Sequence, residues 1–339
     1  MIDDIPITQA QGGQGTNPGS VNRWDGRIGC QREWSWRGWQ IRYSFRHPPE
    51  ATGLPPLLLI HGFGAAIEHW RYNLSVFAQH TSVYAIDLLG FGGSRKANER
   101  YSAYSWADQV EDFCREIIGC PTVLVGNSIG SLVALTMAAE SPALVAGLIM
   151  ASLPDVSLRQ QAAPRFFRPW IEKIENAFSP PWLLNGLFKF VRRPPIIRRW
   201  AGLAYGLRQE QPDPEQFEEE LVQIICSPPQ DLGAEVAFRQ LFGSVRQPHF
   251  APSVKEVLPS LDLPILLLWG DGDRFIPCRY GEQFAQLNDK IEFQLWPGVG
   301  HCLHDECPTK FNQTCLTWLE QNFSTAAPRK EQSQTGTMT

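Results

Sequence analysis

Residues 121–130 read PTVLVGNSIG, a run of apolar strand residues followed at once by Ser128 in a Gly126-x-Ser-x-Gly130 step. A hydroxyl is out of place at the end of a buried strand unless the turn presents it. Glycine is needed on both flanks of such a turn, because larger side chains would collide with the adjoining strand and helix. The turn then lifts the serine above the sheet and aims the next helix N-terminus at the same point. A plain strand-to-helix turn with a serine N-cap is the bland alternative. The strand before Ser128 and the helical IGSLVALTMAAE after it favour the chemical reading.

A serine hydroxyl is a weak nucleophile and needs a base, a group to orient that base, and an anion site. His301 lies in GVGHCLHDECP, after the strand-like IEFQLW and before the last helix. Asp273 lies in WGDGDRFIP, after the strand-like PILLLWG. The segment HGFG, residues 61–64, follows an early strand, and the backbone N–H of Phe63 could join that of Ile129 around a developing oxyanion. His61, Trp70 and Asn127 flank these loops and are candidates for substrate contact.

Competing residues are weaker. Asp271 is expected to line its loop, Asp155 follows another strand and is a minor alternative acid, and Asp87 reads as a structural turn residue. His61 also suits a role in stabilising its own loop, and His69 the start of a helix; neither follows the last strand. His301, Cys302, His304 and Cys307 invite a zinc reading, but their spacing matches no standard site, so no metal is expected. His304-Asp305-Glu306 instead suits ordering of the loop into the last helix.

From about residue 32 to 152 and 255 to 322 the chain resembles the α/β-hydrolase superfamily, with HGFG, DLLGFGGS, GNSIG, WGDGDRFIP and GHCLHDE standing where that superfamily carries its loops. The order Ser128, Asp273, His301 is that superfamily's order. Within it, GFGAAIEHW, AIDLLGFGGS and especially GHCLHDECP are similar to the pheophytinase and chlorophyll dephytylase branch of photosynthetic organisms, whose members hydrolyse the phytyl ester of chlorophyll pigments. The resemblance implies a serine carboxylic-ester hydrolase working through an acyl-enzyme on a bulky apolar ester, without a cofactor, and a thylakoid location. Ser131 departs from the glycine many relatives carry, and serine is small enough to keep the turn. Epoxide hydrolases and haloalkane dehalogenases of this fold use a carboxylate nucleophile, which serine at 128 disfavours. A C–C hydrolase, a peroxidase-like activity, or a non-catalytic isoprenoid- or pigment-binding protein are the alternatives.

The elements that must hold these residues alternate along the chain. REWSWRGWQIRYSFRH suits an antiparallel strand pair around Gly38, and βα units then repeat to residue 152. Ser105 is the expected N-cap of SWADQVEDFCREIIG and Gly119 its stop. The alternation lapses over 153–250, read as a helical cap, and resumes over 251–323. The fold class expected is therefore α/β, a mostly parallel doubly wound sheet with a helical cap insertion. Residues 1–30 and 324–339 are expected to be disordered.

Composition fits this frame. The 339 residues are 43% hydrophobic and 19% charged, with a net charge of −5, which argues against a nucleic-acid partner. The eight cysteines form no Cys-x-x-Cys pair, and the N-terminus lacks a signal-peptide pattern, so free buried thiols and a cytoplasmic location are expected. Twelve tryptophans suit a core, an apolar pocket or a lipid-facing surface. Residues 155–200 are strongly basic with interleaved aromatics, compatible with a lid over a greasy substrate, peripheral contact with an anionic membrane, or simply solvated arginines.

Overall fold

A computed structural model describes residues 24–156, 181–206, 214–245, 247 and 249–324. The expectations placed on 1–23, on 157–180 of the basic stretch 155–200, on 207–213 of the cap and on 325–339 lie outside these residues. Strands β1 (Cys30–Trp36) and β2 (Trp39–Arg46) form the antiparallel pair, Trp36 facing Trp39. Arg37 and Gly38 between them both have positive φ, 47° and 84°, the turn geometry that matches the right-handed twist of a hairpin. The strands β3 (Leu57–Ile60), β4 (Val83–Ile86), β5 (Thr122–Asn127), β6 (Val145–Ala151), β7 (Ile265–Gly270) and β8 (Ile291–Trp296) run parallel to one another. The eight-stranded order is β1-β2-β4-β3-β5-β6-β7-β8.

Helices cover both faces, which is why β3, β4, β6 and β7 lack polar side chains at alternate positions. The early helices are α1 (Leu74–Phe77), α2 (Ala103–Phe113) and α3 (Ile129–Glu140). Leu58, Ile60, Leu124 and Leu148 turn to the face shared with α2 and α3. Their neighbours Leu57, Leu59, Val123 and Ile149 turn to the opposite face, with Phe77 of α1. Ser102, not Ser105, caps α2; the two serines bond reciprocally, each side chain to the other's backbone N–H, so Ser105 occupies the third position of a capping box. Gly119, at φ 79°, does end the turn that follows.

Between residues 153 and 250 the described residues hold helices and no strand: α4 (Pro181–Val191), α5 (Pro194–Ala204), α6 (Pro214–Cys226) and α7 (Ala234–Ser244). The core resumes through α8 (Val254–Val257), α9 (Arg279–Ala285), α10 (Leu303–Glu306) and α11 (Pro308–Phe323). No helix among the described residues is long and apolar enough to cross a membrane.

Order begins earlier than residue 31. Trp24–Arg27 forms a 3-10 turn, Ile28 is fully buried, and its carbonyl accepts from the Ser44 hydroxyl. Arg27 also pairs with Glu220 of α6 at 2.5 Å. One buried side chain and one ion pair are enough to tie down a segment whose composition suggests disorder. All eight cysteines are free, but only Cys114, Cys302, Cys307 and Cys315 are buried.

Candidate active site

The turn after β5 is strained where the sequence suggests. Ser128 has φ 55° and ψ −118°, conformational space a non-glycine residue occupies only when its surroundings hold it there. A methyl group on Gly126 would overlap the backbone of Gly130 and Ser131, and one on Gly130 would overlap the Ile60 carbonyl. Ser131 is adapted to the site rather than merely tolerated: its hydroxyl lies 2.9 Å from both the Gly126 and Ala151 carbonyls, tying the first turn of α3 to β5 and β6. Within α3 the N–H groups of Ser131 and Leu132 point to the Ser128 carbonyl. The Ile129 N–H sits ahead of them, a first-turn donor with no intrahelical acceptor.

The loop after β3 lies against this turn. A Cβ built on Gly62 would stand 3.2 Å from Asn127 Oδ1 and 3.5 Å from Ser128 Cβ, so the main chain entering Phe63 is a neighbour of the serine. The Phe63 side chain is half-exposed and meets Phe91 edge-on at 5.5 Å. The loop is pinned from beneath by Asp87, fully buried, which accepts from Ile67 N at 2.8 Å, Gly93 N at 2.7 Å and Arg42 Nε at 2.6 Å. Arg42 in turn forks onto both Glu68 carboxylate oxygens, at 2.7 and 2.8 Å.

Two expected substrate contacts are corrected. His61 is fully buried, with Nδ1 donating to the Gly62 carbonyl at 2.8 Å and Nε2 accepting from Leu88 N at 3.1 Å. Burial pushes its pKa down, so it is a neutral strut between two loops, the loop-stabilising role. Trp70 is also fully buried, its ring 4.1 Å from His304 and 6.2 Å from Phe311, a packing position in the core. Asn127 contacts protein rather than open space: its Nδ2 donates to the His301 carbonyl at 3.0 Å.

That bond ties the residue before the serine to the histidine loop. His301 Nδ1 lies 2.8 Å from Asp273 Oδ2, and the other carboxylate oxygen accepts from Phe275 N at 2.8 Å and Ile276 N at 2.9 Å. Burial works to raise the Asp273 pKa, but the hydrogen bond and charge attraction from His301, with Ile276 N and Ser152 adding, outweigh it and hold the group below its ordinary value. With Nδ1–H donating to a carboxylate, the neutral ring carries its lone pair on Nε2. Asp271 instead accepts from Gly298 N at 2.6 Å, the loop-lining role.

Two features escaped the sequence reading. Ser152, at φ 49°, bonds the His301 carbonyl through its hydroxyl at 3.2 Å. Its place just past β6, at the carboxyl edge beside β5, is the signal that could have found it. The second is a strap from the cap. His301 N donates to the Ala204 carbonyl at 2.7 Å, and Gly206 N donates to the Glu306 carboxylate, which also accepts from Gly300 N at 2.9 Å. Beside it the Tyr205 hydroxyl donates to Asp305 Oδ2 at 2.6 Å and meets His69 Nε2 at 2.9 Å, and Arg71 pairs with Asp305 at 2.7 Å. Burial opposes the Asp305 charge, but Arg71 and His69 outweigh it and hold the pKa well below the usual carboxylate range. No local pattern announces contacts made across a hundred residues or more. Cys302 is buried against this strap, and burial pushes its thiol pKa well up, which makes it an inert packing group.

A cavity of about 160 Å³ lies between cap and core, with Phe63 and Phe91 on its core side and Phe188, Phe238 and Leu241 on its cap side. Lys96 at its edge is occupied, reaching the Phe91, Gly92 and Ser94 carbonyls and Asp231 at 2.9 Å.

A mostly parallel sheet whose strained serine turn is tied, through Asn127, to the loop of a histidine–carboxylate pair has the architecture of the α/β-hydrolase class. The chain belongs to the alpha/beta hydrolase family, whose model matches residues 57–314. It is 26% identical to epoxide hydrolase 3 of Xenopus tropicalis over 79% of this chain and 72% of that protein. It is 23% identical to chloroplastic pheophytinase of Arabidopsis thaliana, over 89% and 69% respectively. Among solved structures, a membrane phospholipase A described as a bacterial virulence factor superposes with a TM-score of 0.69 at 26% identity, covering 88% of each chain.

Proposed function

We propose that the protein is a serine hydrolase that cleaves carboxylic esters with a bulky apolar part through an acyl-enzyme. The observation that carries this reading is the strained Ser128 turn bonded, through Asn127, to the loop that holds His301 on Asp273. Ser128 Oγ attacks the ester carbonyl while His301 Nε2 takes its proton, and Asp273 holds the ring and stabilises its cation. The Phe63 and Ile129 amides bind the tetrahedral oxyanion. His301 then protonates the departing alcohol, and water repeats the sequence on the acyl group.

The cavity beside Phe63 supports an apolar tail on one side of the scissile bond. Likeness to pheophytinase and the GHCLHDECP segment favour a phytyl ester within that class. Likeness to an epoxide hydrolase does not extend to the nucleophile, because serine stands at 128 where that chemistry uses a carboxylate.

The test is a hydrolysis panel of short p-nitrophenyl esters, long-chain lipid esters and phytylated pigments, with Ser128→Ala as control. That variant is expected to fold normally and to lose turnover by about 10⁴-fold or more. It is also expected to lose the fluorophosphonate labelling that the unaltered chain takes. Near-normal turnover in Ser128→Ala would overturn the mechanism, and preference for the short esters would overturn the substrate class.

A further inference from the structure

The cap turns an unusual face outward. On α4, Leu184 and Phe188 point inward and are buried. On the opposite side Trp182 is 73% exposed and Phe190 49%, with Lys189 beside them at helical positions i, i+7 and i+8. Helix α5 repeats the arrangement: Ile197, Ala201 and Ala204 face inward, while Arg198, Arg199 and Trp200, the last 55% exposed, face outward. A helix apolar on its outer side as well as its inner one gains nothing from water on that side.

Charge separates in the same place. The chain as a whole carries −5, yet residues 181–206 contain Lys189, Arg192, Arg193, Arg198 and Arg199 and no carboxylate. Arg198 is paired with Glu219, and Arg192 donates to the Pro229 carbonyl. Lys189, Arg193 and Arg199 are exposed among the aromatic rings, Arg193 with its guanidinium 5.9 Å from the Phe190 ring centroid.

We infer that this face of α4 and α5 docks on an anionic lipid bilayer. Cations beside exposed tryptophan and phenylalanine match such a surface twice over, with charge for the phosphate headgroups and rings for the boundary beneath them. An acidic protein would satisfy the charges and leave the rings in water. The face also leads to the site. The Trp200 ring is 6.1 Å from Phe275, and Phe275 stands edge-on to His301 at 5.3 Å. A docked cap brings the rim of the site to the bilayer, so a lipid-dissolved ester reaches Ser128 without crossing bulk water. This last step rests on the ester-hydrolase reading; the docking itself does not.

Binding is therefore measured on the inert Ser128→Ala chain, by flotation with vesicles of phosphatidylcholine alone and of phosphatidylcholine with phosphatidylglycerol in equal parts. Binding is expected to the mixed vesicles only and to weaken as salt is raised. Two altered chains, Trp182→Ser/Lys189→Gln/Phe190→Ser and Arg193→Gln/Arg199→Gln, are each expected to weaken it by about tenfold or more. In a Ser128 background the first of these is expected to keep hydrolysis of a water-soluble short ester and lose that of a vesicle-dispersed long-chain ester. Absence of binding to anionic vesicles, or binding unmoved by both alterations, overturns the docking. So does a dimer in sedimentation that the same substitutions dissolve, which assigns the face to a second copy. Docking with no hydrolysis of any ester overturns the catalytic reading instead.

Discussion

Gly130 in the floor of the site and Gly186 in the roof have opposite surroundings. A methyl group on Gly130 would overlap the Ile60 carbonyl, whereas one on Gly186 would meet nothing within 4 Å. The floor is over-determined: Ser128 and its neighbours are held by backbone contacts from β3, β5, β6 and the first turn of α3. The roof sits on a few apolar side chains and a handful of polar pins, among them Tyr205 on Asp305, Gly206 on Glu306 and Lys96 on Asp231. Such a division holds the Ser128 turn rigid and leaves the cap freer to differ or shift.

Gly130→Ala strikes the floor hardest. The atom in the way is backbone and cannot move aside, so a cost of about 3 kcal/mol or more is expected. Denaturant melts would show it, and an unchanged midpoint would mean that the turn yields. Next in size, Asp273→Asn should leave the melt nearly unchanged and lower kcat by about 10³-fold or more, since the histidine loses its orienting partner. Full kcat would assign Asp273 a structural role only.

Acid should loosen the seam between floor and roof. Burial holds His304 well below its ordinary pKa of 6.5, with Trp70, His69, Asp305 and Arg71 around it, and holds His61 down likewise. The unfolded chain takes up these protons as pH falls through about 6.5 and the folded chain does so only at lower pH, so stability is full above about 6.5 and falls below it, by at most about 1.4 kcal/mol per pH unit for each histidine until its folded form titrates. Asp305, also held low, loses its contribution in the same direction at more acid pH. Chemical denaturation at pH 7.5 and 5.5 measures the slope, and His304→Phe should reduce it; equal stability at both values would contradict the neutral burial of both rings.

Tyr205→Phe removes one pin and should cost about 1–3 kcal/mol, the value of a hydrogen bond to a charged partner. A several-fold fall in kcat on a soluble ester with KM unchanged would accompany it if the strap positions His301. Loss of stability alone would confine the strap to holding down the cap. The smallest effect runs the other way: Gly186→Ala should stabilise by about 0.5–1 kcal/mol, because an exposed helix interior gains from alanine. Destabilisation there would reveal a neighbour for the outer face of α4.

The same division governs how far the sequence could be followed. The serine turn was legible because its glycines answer a local steric demand, and Asp273 and His301 because each follows a recognisable strand. Trp70, and His61 as a substrate contact, misled for the complementary reason: closeness in sequence to a loop says nothing about which side of that loop a ring takes, and both rings turned into the core, His61 in the loop-stabilising role also read for it. Ser102 and Ser105 could not be told apart as caps while each is bonded to the other. Tyr205, Arg71 and Ser152 were out of reach, since their partners lie far off in the chain and only packing brings them together.

The amide of Asn127 has a practical consequence for anyone rebuilding this enzyme. It fastens the turn that bears Ser128 to the main chain of His301, the proposed nucleophile and base, without passing through either side chain. Transplanting the five-residue GNSIG turn into another scaffold would therefore carry over the strain without the alignment. The tail of β5 and the Gly298–His301 loop have to travel together.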